Sequence, residues 1–315
     1  MQVPAHSVFN VHDWNIKKYF LATRPMFFTA SLLPVLLGTV IGYRLSGQLD
    51  ILALILALLA VAFVNAGIDV LNDVFDDLGG TDRVNTRHIS PFTGGSRVIQ
   101  EKILSNSQMR RFGYFLLTIS VILGTGLALH KGYVVVLYGL TGIFLGIAYS
   151  APPFKLASRG FGESAIAVGV GVLPVTGAAW LQLGQFRWEA LLLSVPASLW
   201  VASILLINEV PDIEADGATE KRTLAVRIGP QLTAGVYLLF NVTACVVIYI
   251  ASFLGYVPLA ATILPVFLLL PAIYAGYTIF YWSDKPEQIV AGIKSTIAIH
   301  ALGILWLFTW IISMD

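Results

Sequence analysis

The sequence predicts an all-α, polytopic membrane protein in which about nine transmembrane helices pack into one bundle. Hydrophobic residues make up 57% of the 315 residues and charged residues only 12%, about half the charged fraction of a typical soluble domain. The apolar residues form runs that approach the roughly 20 residues needed to cross a bilayer. The acidic residues, by contrast, gather mainly at the ends of two of these runs. Together these observations predict helices surrounded by lipid, with the acidic groups concentrated at the ends of two helices.

Nine apolar runs are candidate spans, and several carry Gly or Pro, which membrane helices tolerate. No tandem repeat and no Pro/Ser-rich linker divides the chain, so we expect a single domain over residues 1–315, with loops at one end capping a functional site. The predicted spans cover residues 26–43, 51–71, 113–129, 133–150, 163–183, 190–207, 231–253, 257–281 and 292–312.

The distribution of Lys and Arg predicts the orientation in the membrane. If the N-terminus is cytoplasmic, sixteen of the 19 basic residues fall in cytoplasmic segments and only Arg44, Lys131 and Arg187 fall outside. The positive-inside rule favours this arrangement. We therefore expect a multi-pass protein of a cell (inner or plasma) membrane, with its N-terminus and its acidic loops in the cytoplasm.

Net charge and cysteine content exclude several other classes. The formal net charge is +1 and no basic face stands out, which argues against a nucleic-acid partner. The single cysteine, Cys245, cannot form a disulfide framework or a thiolate metal site. No feature indicates an obligate protein partner, so the lipid bilayer is the expected surrounding.

Acidic residues cluster at the ends of the second and sixth predicted spans. Charge in or near a membrane is costly, so its placement indicates function. A single acidic group at a helix end is usually only solvated, but two matching clusters on one side make that interpretation weaker. The clusters are Asp69, Asp73, Asp76, Asp77 and Asp82, and Glu209, Asp212, Glu214, Asp216 and Glu220.

The spacing inside the clusters predicts a metal site. Residues four apart share a helix face, which places Asn72 beside Asp76 and aligns Asn208, Asp212 and Asp216 in one stripe. Two facing stripes of carboxylates repel each other unless cations lie between them. Carboxylate and amide oxygens without histidine or thiolate favour Mg²⁺. Because Mg²⁺ completes its shell with water and phosphate oxygens, a diphosphate bridging two metal clusters fits this pattern.

A cation-coupled secondary transporter is the alternative from a different class of protein. It too would carry buried acidic residues and broken helices. Its ionisable residues should lie near the middle of the membrane, whereas both clusters here lie at the ends of predicted spans. We therefore prefer an enzyme that binds a diphosphate through metal ions over a transporter.

The first cluster resembles a motif of the UbiA superfamily of intramembrane aromatic prenyltransferases. Asn72, Asp73 and Asp76 match the first three polar positions of the family pattern NDxxDxxxD, whereas Gly80 replaces its last aspartate. Asp82, two residues later, is similar to the NDxxDxxxGxD variant of the 1,4-dihydroxy-2-naphthoate (menaquinone-branch) prenyltransferases. The role of Asp82 stays open.

Three further blocks carry the same resemblance, in the order that the family shows. Asn208 to Asp216 resembles the family's second acidic element, and Lys221 to Gly229 resembles its K-R-T-L-x-V-R-x-G tail. Tyr149 to Lys155 resembles a Y-x-x-P-P-x-K loop, and the Arg24–Pro25 pair opens the first span as in the family. Nine spans is also the family's number.

The resemblance implies Mg²⁺-dependent transfer of a polyprenyl group from an allylic prenyl diphosphate to an aromatic acceptor. It assigns catalytic roles to Asp73, Asp76, Tyr149 and Lys155. The acceptor ring must also be activated by a base, for which we expect a carboxylate of the first cluster, Asp73 or Asp76, with Asp69 as a further possibility. The metal ligands implied are Asn72, Asp76, Asn208, Asp212 and Asp216, and the diphosphate ligands are Lys155, Arg222, Lys221, Tyr149 and Arg24.

The acceptor implied first is 1,4-dihydroxy-2-naphthoate, because of the Gly80–Asp82 variant. The alternatives are 4-hydroxybenzoate, then homogentisate or chlorophyllide. A terpene cyclase or a glycerol-phosphate ether-lipid synthase would keep the fold and change the chemistry. The length of the prenyl chain is not predicted. For the loop over residues 83–112 we expect a flexible lid above the site.

Overall fold

The computed structural model describes residues 14–282 and 286–314, and in this part of the chain nine long apolar helices form a bundle. Eight of them are long and apolar enough to cross a membrane, and Val134–Ser150 is shorter. The predicted all-α, polytopic fold is confirmed. We number the helices spans 1 to 9: Pro25–Ser46, Ile51–Gly79, Asn106–Lys131, Val134–Ser150, Gly162–Leu183, Trp188–Glu209, Leu224–Phe253, Leu259–Tyr281 and Pro286–Ser313.

Short helices lie outside the spans, at Trp14–Ala22, Thr81–Val84 and Ile213–Gly217. The predicted cytoplasmic N-terminus falls on residues 1–13, which are outside the described residues, and the orientation stays a prediction.

Span 2 is longer than its hydropathy predicts, and this places the first acidic motif on a rigid helix. The helix begins after Asp50, whose side chain caps it by accepting from the N–H of Ala53 at 2.9 Å. It ends at Gly80, which has φ 84°, a conformation that glycine adopts without strain. The predicted end at residue 71 is wrong by two turns, because a hydropathy window stops where polar residues begin.

The bundle is packed tightly on one side and hollow on the other. Spans 6 to 9, with span 1, share a continuous core around fully buried side chains such as Trp200, Tyr237 and Ile293. Spans 2 to 5 face spans 1 and 6 across a cavity instead. We call these two parts the packed half and the hollow half.

Small residues bring span 1 against span 5, where the two halves meet. A side-chain carbon on Gly38 would collide with the backbone of Val175, and one on Gly42 would lie 2.7 Å from the carbonyl oxygen of Ala179. Close approach through small residues is a general way of packing helices in membranes, where no hydrophobic force drives them together.

Span 5 is interrupted by a widened, π-helical turn at Ala167–Val172. Such turns are rare and are frequent at functional sites. Gly169 and Val170 of this turn line the cavity, so the widened turn shapes its wall.

A polar clasp joins spans 2, 3 and 5 at the end of the bundle opposite the acidic motifs. The Asp50 carboxylate lies 2.6 Å from Lys131 Nζ and 2.7 Å from His130 Nε2. The backbone N–H of Asp50 donates to Gln182 Oε1 at 2.7 Å. Burial alone would raise the pKa of the Asp50 carboxyl, but hydrogen bonds from Lys131, Ala53 and His130 outweigh it and hold this pKa well below its usual range.

Candidate active site

The cavity of the hollow half has a volume of about 430 Å³ and is apolar along most of its length. Its lining residues on span 2 run from Ala57 to Asp76, a distance of about 28 Å at 1.5 Å per helical residue. This is close to the thickness of a bilayer's hydrocarbon core, about 30 Å. The end lined by the two acidic motifs is the polar one, and we call it the mouth.

Span 2 presents a stripe of four polar residues to the cavity: Asn65, Asp69, Asn72 and Asp76. Asn72 Nδ2 donates to Ser150 Oγ of span 4 at 2.6 Å, which ties this wall to the opposite one. Asp73 is buried and does not line the cavity. The expected shared face of Asn72 and Asp76 is therefore present at the mouth.

The second motif reaches the mouth by a different route from the one predicted. Asn208, Asp212 and Asp216 all line the cavity, but they do not form a stripe on one continuous helix. Span 6 ends at Glu209 and a new short helix begins at Ile213. Pro211 lies between them and has no N–H to continue the helical hydrogen bonds. The prediction of an unbroken i, i+4, i+8 stripe is wrong for this reason.

Lys221 joins the two motifs. Its Nζ donates to Asp76 Oδ2 at 3.0 Å and lies 3.5 Å from Asp216 Oδ1. Burial would lower the pKa of Lys221, but the charges of Asp76 and Asp216 outweigh it and hold the pKa well above its ordinary value. For Asp216 the balance is reversed: burial dominates and raises its pKa to about 7. A single ammonium group thus bridges the carboxylates assigned to metal.

The segment Asn85–Arg97 covers the mouth and holds both motifs through hydrogen bonds. Asn85 Nδ2 donates to Asp212 Oδ1 at 2.7 Å, and the N–H of Gly94 donates to Asp212 Oδ2 at 3.1 Å. The N–H of Ser96 donates to Asp73 Oδ2 at 2.9 Å. The sequence predicts only a lid in this region and does not link Asn85 or Ser96 to the acidic motifs, since nothing local connects them to residues far along the chain.

Gly95 lets this segment approach the carboxylates closely. It has φ 73°, and a side-chain carbon would lie 2.8 Å from Asp73 Oδ1 and 2.9 Å from Asp82 Oδ2. Asp82 itself lines the mouth and is 3% exposed. Burial and the nearby charges of Asp76 and Asp73 raise its pKa to about 8. Asp82, whose role the sequence left open, is therefore placed with the other acidic residues.

The predicted diphosphate ligands divide into two groups. Tyr149, Arg24 and Lys221 line the cavity. Arg24 Nη2 donates to the carbonyl of Phe92 at 2.9 Å, while its Nε has no hydrogen-bond partner among the described residues. Lys155 and Arg222 do not line the cavity. Lys155 Nζ lies 3.9 Å from Glu220 with its side chain 41% exposed, and Arg222 is exposed. The role of these two residues in binding diphosphate stays a prediction.

Glu163 and Glu209 form a buried acidic pair that sequence reasoning did not single out as a pair. They are 4% and 6% exposed, and their carboxyl groups interact directly with each other. Glu209 lines the cavity beside Asn208. The available signal was a lone acidic residue, Glu163, at the start of an apolar run.

The mouth has the donor atoms that a magnesium site needs. Among residues 14–282 and 286–314, the lining side chains Asp82, Asn208 and Asp216 each have a buried oxygen without a hydrogen bond, and that of Asp216 lies 3.5 Å from Lys221 Nζ. Across the described residues, no three carboxylate, imidazole or thiol groups converge as a closed metal cage. Mg²⁺ takes one or two carboxylates and fills the remaining positions with water and phosphate oxygens. The donor set therefore fits this ion better than one that requires a cage of protein ligands.

The bundle, the membrane-deep cavity and its acidic mouth define a polytopic membrane protein with a functional site reached at one end of its helices. Comparison with known families makes the class specific. Residues 31–294 match the model of the UbiA prenyltransferase family, and the chain belongs to that family.

Two relatives and one solved structure illustrate the similarity. UbiA prenyltransferase domain-containing protein 1 of Xenopus tropicalis is 32% identical over 232 residues, which is 71% of this chain and 62% of the relative. The 1,4-dihydroxy-2-naphthoate octaprenyltransferase of Bacillus subtilis is 26% identical over 277 residues, 87% of this chain and 85% of the relative. A UbiA homolog from Archaeoglobus fulgidus bound to DMAPP and Mg²⁺ superposes with a TM-score of 0.66 at 19% identity, covering 95% of this chain and 100% of the homolog.

Proposed function

We propose that this UbiA-family prenyltransferase moves a polyprenyl group from an allylic prenyl diphosphate to an aromatic acceptor in a Mg²⁺-dependent reaction. The observation that carries the proposal is the cavity: one end gathers Lys221 with carboxylate and amide oxygens that lack a hydrogen bond among the described residues, and the rest is mainly apolar. Charged and apolar parts of a prenyl diphosphate match these two regions. The archaeal homolog, which was solved with DMAPP and Mg²⁺ bound, supports the same substrate class.

The residues at the mouth would bind the diphosphate and its metal. Asn72, Asp76, Asn208, Asp212 and Asp216 are the proposed metal ligands, with Asp73 and Asp82 close by. Bound Mg²⁺ supplies positive charge that stabilises the departing diphosphate. Lys221 and Arg24 provide further cationic donors, and Arg24 Nε has no partner among the described residues. Tyr149 lines the same region and can donate its hydroxyl to a diphosphate oxygen.

The apolar part of the cavity would keep water from the reacting carbon. An allylic cation is consumed by water unless the acceptor reaches it first, and a closed apolar cavity favours the acceptor. Val61, Val64 and Ile68 on span 2 and Ile143 on span 4 line this region. The long hydrocarbon tail of the donor would occupy it.

For the acceptor we propose 1,4-dihydroxy-2-naphthoate, which gives a prenylated naphthoquinol (a demethylmenaquinol-type product) after loss of its carboxyl group as CO₂. The support is the Gly80 and Asp82 variant of the first motif and the named activity of the Bacillus subtilis relative. 4-Hydroxybenzoate is the second choice. We also propose that the mouth faces the cytoplasm, where sixteen of the 19 basic residues are expected.

The test is transfer from labelled geranylgeranyl diphosphate in membranes that contain the protein. We expect a prenylated product and pyrophosphate with 1,4-dihydroxy-2-naphthoate, and none after Mg²⁺ is removed with EDTA. Asp76→Ala and Asp212→Ala should each abolish turnover, because both remove a carboxylate from the mouth. Glu101→Gln, a change at an exposed loop position, is the matched control and should retain activity.

Two outcomes would contradict the proposal. Product formation that is unaffected by EDTA would rule out a requirement for Mg²⁺. Wild-type activity in both alanine variants would rule out Asp76 and Asp212 as metal ligands. The acceptor is tested separately in a host that lacks its own naphthoate prenyltransferase. Restored menaquinone in the lipids extracted from this host would support 1,4-dihydroxy-2-naphthoate as the acceptor. Prenylation of 4-hydroxybenzoate alone would identify that compound as the acceptor instead.

A further inference from the structure

Below the mouth, one polar pair interrupts the apolar wall of the cavity. Asn65 Nδ2 donates to Asp69 Oδ2 at 3.1 Å, and both residues line the cavity on span 2. Their neighbours in the lining of that helix are Val61, Val64 and Ile68. A carboxylate inside the membrane is costly, so a carboxylate kept on this mainly apolar wall indicates a function.

The position of Asp69 separates it from the metal site. Seven residues, about two helical turns, separate it from Asp76, so the two carboxylates share a face about 10 Å apart along the axis. Asp76 is already paired with Lys221 at the mouth. A diphosphate held at Asp76 would therefore place its reacting carbon below the mouth, towards Asp69 rather than beyond it.

Asp73, the other carboxylate considered as a base, is less well placed. It is 3% exposed, does not line the cavity, and one of its oxygens accepts the N–H of Ser96 at 2.9 Å. Asp69 is only partly buried and faces the cavity. Asn65 fixes its orientation through the second oxygen, which leaves Oδ1 for a ligand.

We propose that Asn65 and Asp69 form the subsite for the hydroxyl group of the acceptor ring, with the Asp69 carboxylate receiving the hydroxyl proton. This inference rests on the proposed function and specifies where its acceptor binds. The ligand class is a hydroxylated aromatic ring. The apolar residues around the pair pack against the ring, and the carboxylate accepts its O–H.

The proton transfer fits a balanced reaction. As Asp69 takes the hydroxyl proton, electron density moves to the ring carbon, which forms a bond to the first carbon of the prenyl group. The carbon–oxygen bond of the donor breaks, and its electron pair leaves with the diphosphate. The ring then loses the proton, or the carboxyl group as CO₂, from the substituted carbon, and Asp69 returns its proton to the hydroxyl oxygen.

The experiment compares the wild type with Asp69→Asn on acceptors that have or lack the hydroxyl proton. The acceptors are 1,4-dihydroxy-2-naphthoate and its two mono-O-methyl ethers, and the donor is geranyl diphosphate with Mg²⁺. With the ether that blocks the contacted hydroxyl, we expect the kcat of the wild type to be at least about 100-fold lower than with the parent acceptor. This factor is at the lower end of what a general base contributes. The kcat of Asp69→Asn should fall by a similar factor with 1,4-dihydroxy-2-naphthoate. This variant should then have the same kcat with that ether as with the parent acceptor.

Donor binding is measured in parallel as the thermal stabilisation of purified protein by geranyl diphosphate and Mg²⁺. It should be the same in Asp69→Asn as in the wild type, and Glu101→Gln should match the wild type in every assay. If Asp69→Asn still discriminates against the ethers as the wild type does, the subsite is elsewhere. If it loses donor binding, Asp69 belongs to the diphosphate site. If the wild type transfers to no aromatic acceptor, the proposed function fails, a result distinct from either of these.

Discussion

At the scale of single residues, the mouth shows how acidic groups are accommodated by the protein's own donors. Lys221 bridges Asp76 and Asp216, and Asn85 with Gly94 occupies both oxygens of Asp212. Sequence spacing identified most of the carboxylates, because helical periodicity is a local property. It did not predict these partners, since Lys221 is 145 residues away from Asp76 and only the tertiary fold brings them together.

Replacing Lys221 with methionine should make the protein more dependent on metal for its stability. Without the ammonium group, Asp76 and Asp216 repel each other, and breaking a largely buried pair costs about 3 kcal/mol. We expect Lys221→Met to have a lower Tm than the wild type in EDTA and a larger rise in Tm when Mg²⁺ is added. The exposed Lys102→Met is the control. Equal rises in Tm for Lys221→Met and the wild type would show that Lys221 does not substitute for metal.

At the scale of helices, hydropathy was sufficient to predict nine apolar helices, eight of which are long enough to cross a membrane in the described part of the chain. It did not predict where each helix ends or bends. Span 2 continues two turns past its apolar run, and span 6 stops at Glu209 because Pro211 follows. Composition alone also did not predict the widened turn of span 5, because it is a change in backbone hydrogen bonding. Which faces pack is likewise set by shape, as the contact between Gly38 and Val175 shows.

Gly38→Ala should separate spans 1 and 5. The added carbon would meet the backbone of Val175, which cannot rotate away as a side chain can, and overpacking of this kind costs about 1–3 kcal/mol. We expect a Tm several degrees below that of the wild type in detergent. Gly126→Ala on span 3, where nothing lies within 4 Å of the added carbon, should not lower it. A wild-type Tm for Gly38→Ala would mean that the two helices can move apart without loss.

At the scale of the whole molecule, the packed half supports a hollow half that encloses the cavity. Spans 1 to 6 line the cavity, and the clasp at Asp50 joins three of them at the end opposite the mouth. The sequence predicted the acidic end of this arrangement and missed the clasp. The contacts of Asp50 with Lys131 and Gln182 join residues that are far apart in the chain, so no local pattern reveals them.

Asp50→Asn should destabilise the hollow half in a pH-dependent way. The folded-state pKa of Asp50 is lowered, so its contribution is fully present above the unfolded-state pKa of about 4 and is lost as pH falls through the folded-state value. Asparagine keeps the helix cap and removes the charge. We expect a loss of about 1 kcal/mol at pH 7 and a difference in Tm that shrinks below about pH 4. A difference that stays constant as the pH falls well below that value would contradict the assigned ion pairs.

Part of the cavity wall is formed by glycine residues, which have no side chain to fill the space. Gly124, Gly139 and Gly142 line it, and nothing lies within 4 Å of where a side-chain carbon would stand on each. Its capacity therefore depends in part on single residues of spans 3 and 4, in addition to the placement of the helices. Selection could adjust the range of hydrocarbon tails that fit by exchanging one glycine at a time, without disturbing the packed half. Members of such a lineage would then diverge in tail length while their acidic motifs stay the same.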